Sequence, residues 1–226
     1  MLVVSCAKNY PEPSGFLGEI DQNIVPEKRL PFGKSWKAPE VDLRRFGRVE
    51  VAPVGTDQVR ALGWGIDGAS ERNFDSVRAR DIAEIAVYTE KQLRKYLPPN
   101  DYQSSTLTTP KLRTSKALRL ETNLVEVVPG KPAAQALENW LPFVAIVNRP
   151  TLALEGRFVD AETGQVVFAF SDRERAEISL YDAQKFTYYG VHRREAKRWA
   201  KQLASVLRRN AEGTTNDAFP IQPITW

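Results

Sequence analysis

The stretch between Leu152 and Arg173 constrains the fold of this chain more than any other. Leu152–Asp160 and Gln165–Arg173 are two apolar-rich runs of strand length, separated by Ala161-Glu-Thr-Gly164. A glycine at the end of so short a connection supplies the positive φ that a tight turn requires. The stretch therefore predicts a β-hairpin, and the fold must contain its two antiparallel strands.

In four further segments the apolar residues recur at a regular spacing. Phe46–Val54 and the start of Leu118–Val128 alternate between apolar and polar residues, which predicts two more strands. Two long segments instead repeat apolar residues at helical spacing, from about Ser76 to Leu97 and from about Val191 to Arg209. A short helix is also predicted over Ala133–Leu141.

The order of these segments defines the fold class. Each long helix has a single apolar face, so both are expected to cover one face of one sheet. The sequence predicts a two-layer α/β sandwich whose sheet has about four strands and is mostly antiparallel or mixed. The α/β domain is predicted over 46–211, with an extended arm over 15–45 and an extended C-terminal tail over 212–226.

The composition suits a globular domain. Of the 226 residues, 42% are apolar and 27% are charged, which is enough to build a core without a disulfide or a metal. The net charge of +4 is too small to indicate nucleic acid as a partner. The longest apolar run, Trp140–Val147, is shorter than the ~18–20 residues of a membrane-spanning helix and is expected to be buried.

The only cysteine, Cys6, follows Leu2-Val-Val-Ser5. Small and apolar residues before a cysteine are typical of the lipobox of bacterial lipoproteins, where the thiol receives a diacylglycerol before cleavage. We therefore expect fatty acyl chains such as palmitate on Cys6. Residues 1–5 are then a signal-peptide remnant, and 6–14 form a proline-containing tether. Since so short a segment is not a complete secretory signal, the true start codon is expected upstream.

Several motifs recur in a familiar order. They are a cysteine ahead of Ser14-Gly-Phe-Leu-Gly18, the strand Val49–Val54, the hairpin Phe158–Val166, the following Asp172-Arg173 and a final helix that contains Trp199. Over most of its length the chain thereby resembles a family of bacterial envelope lipoproteins of unknown function. The resemblance implies export, acylation at the cysteine and a periplasmic α/β domain, and it implies no catalytic residues.

The expected cellular location follows from the same resemblance. Ala7, next to the acylated Cys6, implies the inner leaflet of the outer membrane, facing the periplasm. We expect a binding or assembly module without cofactor or metal, whose partners are the membrane and an envelope protein. A soluble cytosolic binding module is the alternative, and an in-frame signal upstream would reject it.

Three motifs that resemble known sites lack the context that they need. Gly63–Gly68 matches G-x-G-x-x-G but does not join a strand directly to a helix, so a loop is expected. Gly33-Lys-Ser35 lacks the first glycine of a P-loop. His192, the only histidine, is flanked by Arg193 and Arg194 and is expected at the surface.

Four acids surround the predicted hairpin: Asp160, Glu162, Asp172 and Glu174. Paired carboxylates serve glycoside hydrolysis, so a hydrolase is a second alternative function. Acids are also ordinary beside a turn, and solvated positions are the favoured interpretation.

The final helix is rich in cations. Arg193, Arg194, Lys197, Arg198 and Lys201 are candidates for contact with an anionic surface such as lipid headgroups. A solvated helix face opposite the apolar stripe explains the same pattern and is favoured.

Overall fold

The computed structural model describes residues 10–60, 69–97, 116–128, 151–175 and 190–211. Within these ranges five strands form one sheet, and two long helices pack together beside it. The strands are β1 (Lys34–Lys37), β2 (Phe46–Val51), β3 (Lys116–Val128), β4 (Thr151–Asp160) and β5 (Val166–Arg175), and the helices are α1 (Ala69–Tyr96) and α2 (Gly190–Arg208).

The sheet is mixed, with the strand order β1-β5-β4-β3-β2. β2 pairs with β3 in parallel, and the other neighbours are antiparallel. The predicted α/β sandwich is therefore confirmed, with five strands instead of about four. The additional strand is β1, which comes from the predicted extended arm. The hairpin is confirmed as β4 and β5, and Gly164 has the positive φ of 72° that its turn requires.

The main core lies between the sheet and the two helices. Alternate residues of β3, β4 and β5 point into it, and the α2 stripe of Trp199, Leu203 and Val206 is completely buried there. Three rings form an aromatic group in this core, since Phe170 lies 4.7 Å from Phe32 and 6.3 Å from Phe168 between ring centroids. Close packing of these large side chains fixes the helices on the sheet.

The opposite face of the sheet is partly covered by the N-terminal arm. A 3-10 helix, Gly18–Gln22, lies in this arm, and Leu17 and Ile24 on either side of it are buried against Ala169 of β5. Leu17 is only 1% exposed. The arm therefore forms a small second core on the face that the long helices leave open.

Some predicted segments lie outside the described residues: Cys6 with 1–5, Gly63–Gly68, Ala133–Leu141, Trp140–Val147 and 212–226. α1 begins at Ala69, several residues before the predicted Ser76. Among the described helices, none combines the length and the apolar character that a bilayer crossing requires.

Candidate functional site

A row of polar side chains crosses the sheet on the face turned away from the long helices. Lys34, Ser171, Glu155 and Asn123 are successive cross-strand partners on β1, β5, β4 and β3. Directly paired residues project to the same face of a sheet, so these four side chains, named the polar row here, form one line. Ser171, Glu155 and Asn123 are each at most 4% exposed, although all three are polar.

The buried carboxyl of Glu155 is the centre of the polar row. Burial raises the pKa of Glu155, and a hydrogen bond donated by the Ser14 hydroxyl opposes that rise. Beside it, Asn123 donates its Nδ2 hydrogen to Asp57 at 2.7 Å, which lowers the pKa of Asp57. The pKa of Glu155 is thus shifted upward within the row, whereas that of Asp57, bonded to the end of the row at Asn123, is shifted downward.

The segment Tyr10–Phe16, named the N-terminal strap here, lies over the polar row. The Tyr10 ring sits 4.1 Å from Lys34 Nζ at one end of the row, and Ser14 bonds to Glu155 near its middle. The Arg60 guanidinium donates to the backbone carbonyls of Glu12 and Pro13. The strap is therefore fastened to the domain along its length, by side chains and by backbone.

Ion pairs flank the polar row on this face of the sheet. Glu126 of β3 lies between Arg60, at 3.1 Å, and Arg173 of β5. On the other side of the row, Glu121 accepts from Arg157 at 2.8 Å. Each of these two glutamates is thus shared by two arginines, since Arg119 also pairs with Glu121.

Asp172 lies on the other side of the sheet, in the main core. Its Oδ1 accepts from the Gly33 N–H at 2.8 Å, and its Oδ2 accepts from Trp199 Nε1 at 2.6 Å. Burial, with the nearby charge of Glu174 second, raises the pKa of Asp172 well above its usual value. The expectation of a solvated position is therefore wrong for Asp172.

Glu174 belongs to an ion-pair network between β5 and α2. It pairs with Arg198, which also lies 3.0 Å from Glu195. Arg194 lies 3.1 Å from Glu195 on the same helix. Burial raises the pKa of Glu174, and the Arg198 charge opposes this rise. Two of the predicted surface cations, Arg194 and Arg198, are thus engaged with carboxylates of the domain.

Asp160 is also buried, so the solvated position expected for it is wrong. Its carboxylate accepts from the backbone N–H groups of Glu162 and Thr163 and thereby closes the hairpin turn, while Glu162 is exposed as predicted. In the register of β4 and β5, Asp172 of β5 lies opposite Leu154 of β4. Leu154 is six residues before Asp160 on the same strand. At about 3.3 Å per residue the Asp160 and Asp172 carboxylates are about 20 Å apart, wider than the pairs that hydrolyse glycosides.

His192 is fully buried, and its predicted surface position is wrong. Its Nε2 lies 3.0 Å from the Val128 carbonyl oxygen and 3.2 Å from that of Thr151. Carbonyl oxygens only accept, so Nε2 carries the hydrogen and donates to them. Burial lowers the pKa of His192 to about 4, which keeps the ring neutral.

The remaining predicted cations lie on the outer side of α2. Arg193, Lys197 and Lys201 are exposed. The Arg193 guanidinium lies 5.7 Å from the centre of the Tyr88 ring, and Lys201 Nζ lies 5.6 Å from that of Tyr96, both on α1. The structure therefore separates the five predicted residues into three outward cations and two that are paired within the domain.

Sequence reasoning did not identify Ser14, Glu155 or Asn123 as a group. One signal was present, because Glu155 is an acid that directly follows the apolar run Leu152-Ala-Leu154. Within the described ranges no cluster of three or more His, Cys, Asp or Glu side chains is arranged to hold a metal ion.

Comparison with solved structures finds remote likenesses. The PelC dodecamer from Paraburkholderia phytofirmans matches 76% of this chain and 94% of its own, at 10% identity and a TM-score of 0.37. The hypothetical protein CT253 from Chlamydia trachomatis matches 73% of this chain and 98% of its own, at 13% identity and a TM-score of 0.35. At these values neither likeness extends a function to this chain.

Comparison of sequences is more decisive. No curated protein matches the chain. The model of one protein family, described as "Protein of unknown function (DUF3313)", matches residues 12–203. The match includes every described strand and all of α1, and it ends within α2. The chain therefore belongs to the DUF3313 family.

Proposed function

We propose that this protein is a lipid-anchored binding module of the bacterial envelope, acylated at Cys6 and held at the inner leaflet of the outer membrane. The bond between Ser14 and Glu155 supports the anchoring part of this proposal, because it joins the segment that follows Cys6 to the folded domain. A fastened strap transmits the position of an anchored residue to the folded domain. The lipobox pattern before Cys6 supplies the chemistry of the anchor.

Chain geometry makes the consequence of anchoring specific. Four peptide steps separate Cys6 from Tyr10, and consecutive Cα atoms are 3.8 Å apart. The Cα atom of Cys6 therefore lies within about 15 Å of that of Tyr10. Since Tyr10 sits at the β1 edge of the sheet, an acylated Cys6 would hold this edge close to the bilayer. Two or more acyl chains make such attachment stable.

The contacts of the titratable core groups support binding as the activity. Asp172 is held by Gly33 and Trp199, and Glu174 is paired with Arg198. The neutral His192 donates to two backbone carbonyl oxygens. Each of these groups has structural partners that join α2 to the sheet, and binding needs no chemical step from them.

Replacement of Cys6 by Ser in the full-length gene, in its native host, tests the anchor. We expect the unmodified protein to sediment with membranes, to incorporate an alkyne analogue of palmitate and to show the added acyl mass. The C6S variant is expected in the soluble periplasmic fraction without the label.

Ser5→Thr is the matched control, because it changes a neighbouring polar residue and keeps the thiol. Circular dichroism of the C6S protein must match that of the unmodified protein, since Cys6 precedes the strap. An unmodified thiol and an intact N-terminus in the native protein would refute the anchor.

A further inference from the structure

The outer side of the two helices carries cations that have no carboxylate partner among the residues that the structure describes. Six exposed residues form this group, and within the described part of the chain none of them has an ion pair: Lys91, Lys95, Arg193, Lys197, Lys201 and Arg208. With Tyr88 and Tyr96 they are named the basic surface here. On the sheet, by contrast, Arg119, Arg157 and Arg173 each pair with a glutamate.

Two tyrosines of α1 contact cations of the basic surface through their rings. Tyr96 has Lys95 Nζ at 5.5 Å and Lys201 Nζ at 5.6 Å from its ring centre, and Tyr88 has the Arg193 guanidinium at 5.7 Å. These distances are those of cation–π contacts. Lys197 lies one helical turn from both Arg193 and Lys201, so α2 presents three cations in a row about 12 Å long.

Among the side chains that the structure describes, acids do not balance this surface. Glu90 of α1 pairs with Arg94, and Asp81 pairs with Arg80. Glu84 is the unpaired carboxylate on the exposed side of α1 among the described residues. Six cations against this one carboxylate exceed the net charge of +4 of the whole chain, so all other residues together are close to neutral.

The basic surface and the strap lie on opposite sides of the domain. α1 and α2 cover one face of the sheet, whereas Ser14 bonds to Glu155 on the other face. An anchored strap brings the β1 edge and the strap-covered face of the sheet toward the bilayer, so the basic surface on the other face is turned away from the anchoring membrane. The opposite placement favours a macromolecule in the surrounding space over the lipid headgroups of the anchoring bilayer.

We propose that the basic surface binds an acidic segment of a partner protein, with side-chain carboxylates on Arg193, Lys197 and Lys201. Arginine and tyrosine are enriched at protein interfaces, and arginine binds carboxylates through two parallel hydrogen bonds. The tyrosine rings hold two of the cations in place before binding, which reduces the loss of side-chain entropy. The proposal deepens the binding role given above and rests on it for the biological setting, but the contact itself needs no acyl group.

The unacylated 226-residue chain and a fluorescein-labelled deca-glutamate peptide test the proposal. Fluorescence anisotropy at low salt is expected to show saturable binding that weakens as salt is raised. The variant R193Q/K197Q/K201Q is expected to weaken binding about tenfold, because it removes three exposed ion pairs. The control K28Q/R29Q/R119Q removes the same charge from the arm and the sheet and is expected to change binding less than twofold.

Three outcomes would overturn the proposal. They are absence of peptide binding at low salt, equal weakening by the two triple variants, and stronger binding to vesicles with 30% phosphatidylglycerol or to a DNA duplex than to the peptide. Because the chain is unacylated throughout, a failure here is separate from a failure of the C6S experiment.

Discussion

Trp199 of α2 donates its indole N–H to Asp172 of β5 across a distance of 2.6 Å, and both side chains are buried. Gly33 donates to the other carboxyl oxygen, so the N-terminal arm, the sheet and the helix meet at Asp172. The bond fixes the rotation of α2 on the sheet, since another rotation would leave both Asp172 and the indole without this partner. A buried polar group without its partner costs free energy.

Replacement of Trp199 by Phe should therefore lower the free energy of unfolding by about 1–3 kcal/mol, with a further loss from the smaller ring. Urea denaturation measures the change. Trp36→Phe is the matched control, because Trp36 is only half-buried on the edge strand β1 and should cost less than about 1 kcal/mol. Equal losses in the two variants would contradict the role assigned to the bond.

The neutral His192 should make the protein less stable as the pH falls. Burial lowers the pKa of His192 to about 4, whereas an unfolded histidine titrates near 6.5. Between these pH values the unfolded chain binds a proton that the folded chain does not. The contribution of His192 is therefore complete above pH 6.5 and is lost as the pH falls to 4, by about 3 kcal/mol in total.

A comparison with His192→Gln isolates this effect. Glutamine offers an N–H to the Val128 and Thr151 carbonyl oxygens but does not titrate. The raised pKa values of Asp172 and Glu174 act in the opposite direction, because their contribution is lost as the pH rises above the unfolded values. Urea denaturation between pH 4 and 6.5 measures the free energy of unfolding. We expect it to rise less with pH in H192Q than in the native chain. The same pH dependence in both proteins would refute the assignment.

The elements that could be predicted from the sequence are those with a clear local period. The hairpin had Gly164 at its turn, and the final helix had an apolar stripe through Trp199 and Leu203. β1 could not be recognised, because Lys34–Lys37 is four residues long and gains its strand geometry from pairing with β5. Its partners are more than 130 residues away along the chain.

The burial of His192 could have been predicted, and that of Asp172 could not. His192 lies four residues before Ala196 and seven before Trp199, so helical spacing places it on the buried stripe despite the neighbouring arginines. Asp172 is buried because Trp199 and Gly33 supply donors from distant segments. Such tertiary contacts leave no local pattern, and the polar row is a further case, since its members come from four strands.

Replacement of Ser14 by Ala should loosen the strap. The change removes the donor to Glu155 and the acceptor of the Phe16 N–H. We expect the amides of residues 10–17 to exchange about tenfold faster, which corresponds to the loss of one hydrogen bond to a buried carboxyl. Hydrogen exchange with mass spectrometry measures this change. Ser14→Thr keeps the hydroxyl and is expected to exchange like the native chain, and equal exchange in S14A would show that the other contacts of the strap hold it without Ser14.

Gly156 of β4 should not tolerate a side chain, because the ring of its cross-strand partner Phe170 lies against it. A Cβ atom there would overlap the Phe170 ring and stand 3.0 Å from Thr122 Cγ2. Gly156→Ala is therefore expected to lower the free energy of unfolding by about 1–3 kcal/mol, as overpacking does in a dense core. Phe170→Leu shortens the obstructing side chain, so G156A should cost less in that background. The double-mutant cycle, measured by urea denaturation, should give a favourable coupling between the two changes, and strictly additive losses would mean that the ring is not the obstacle.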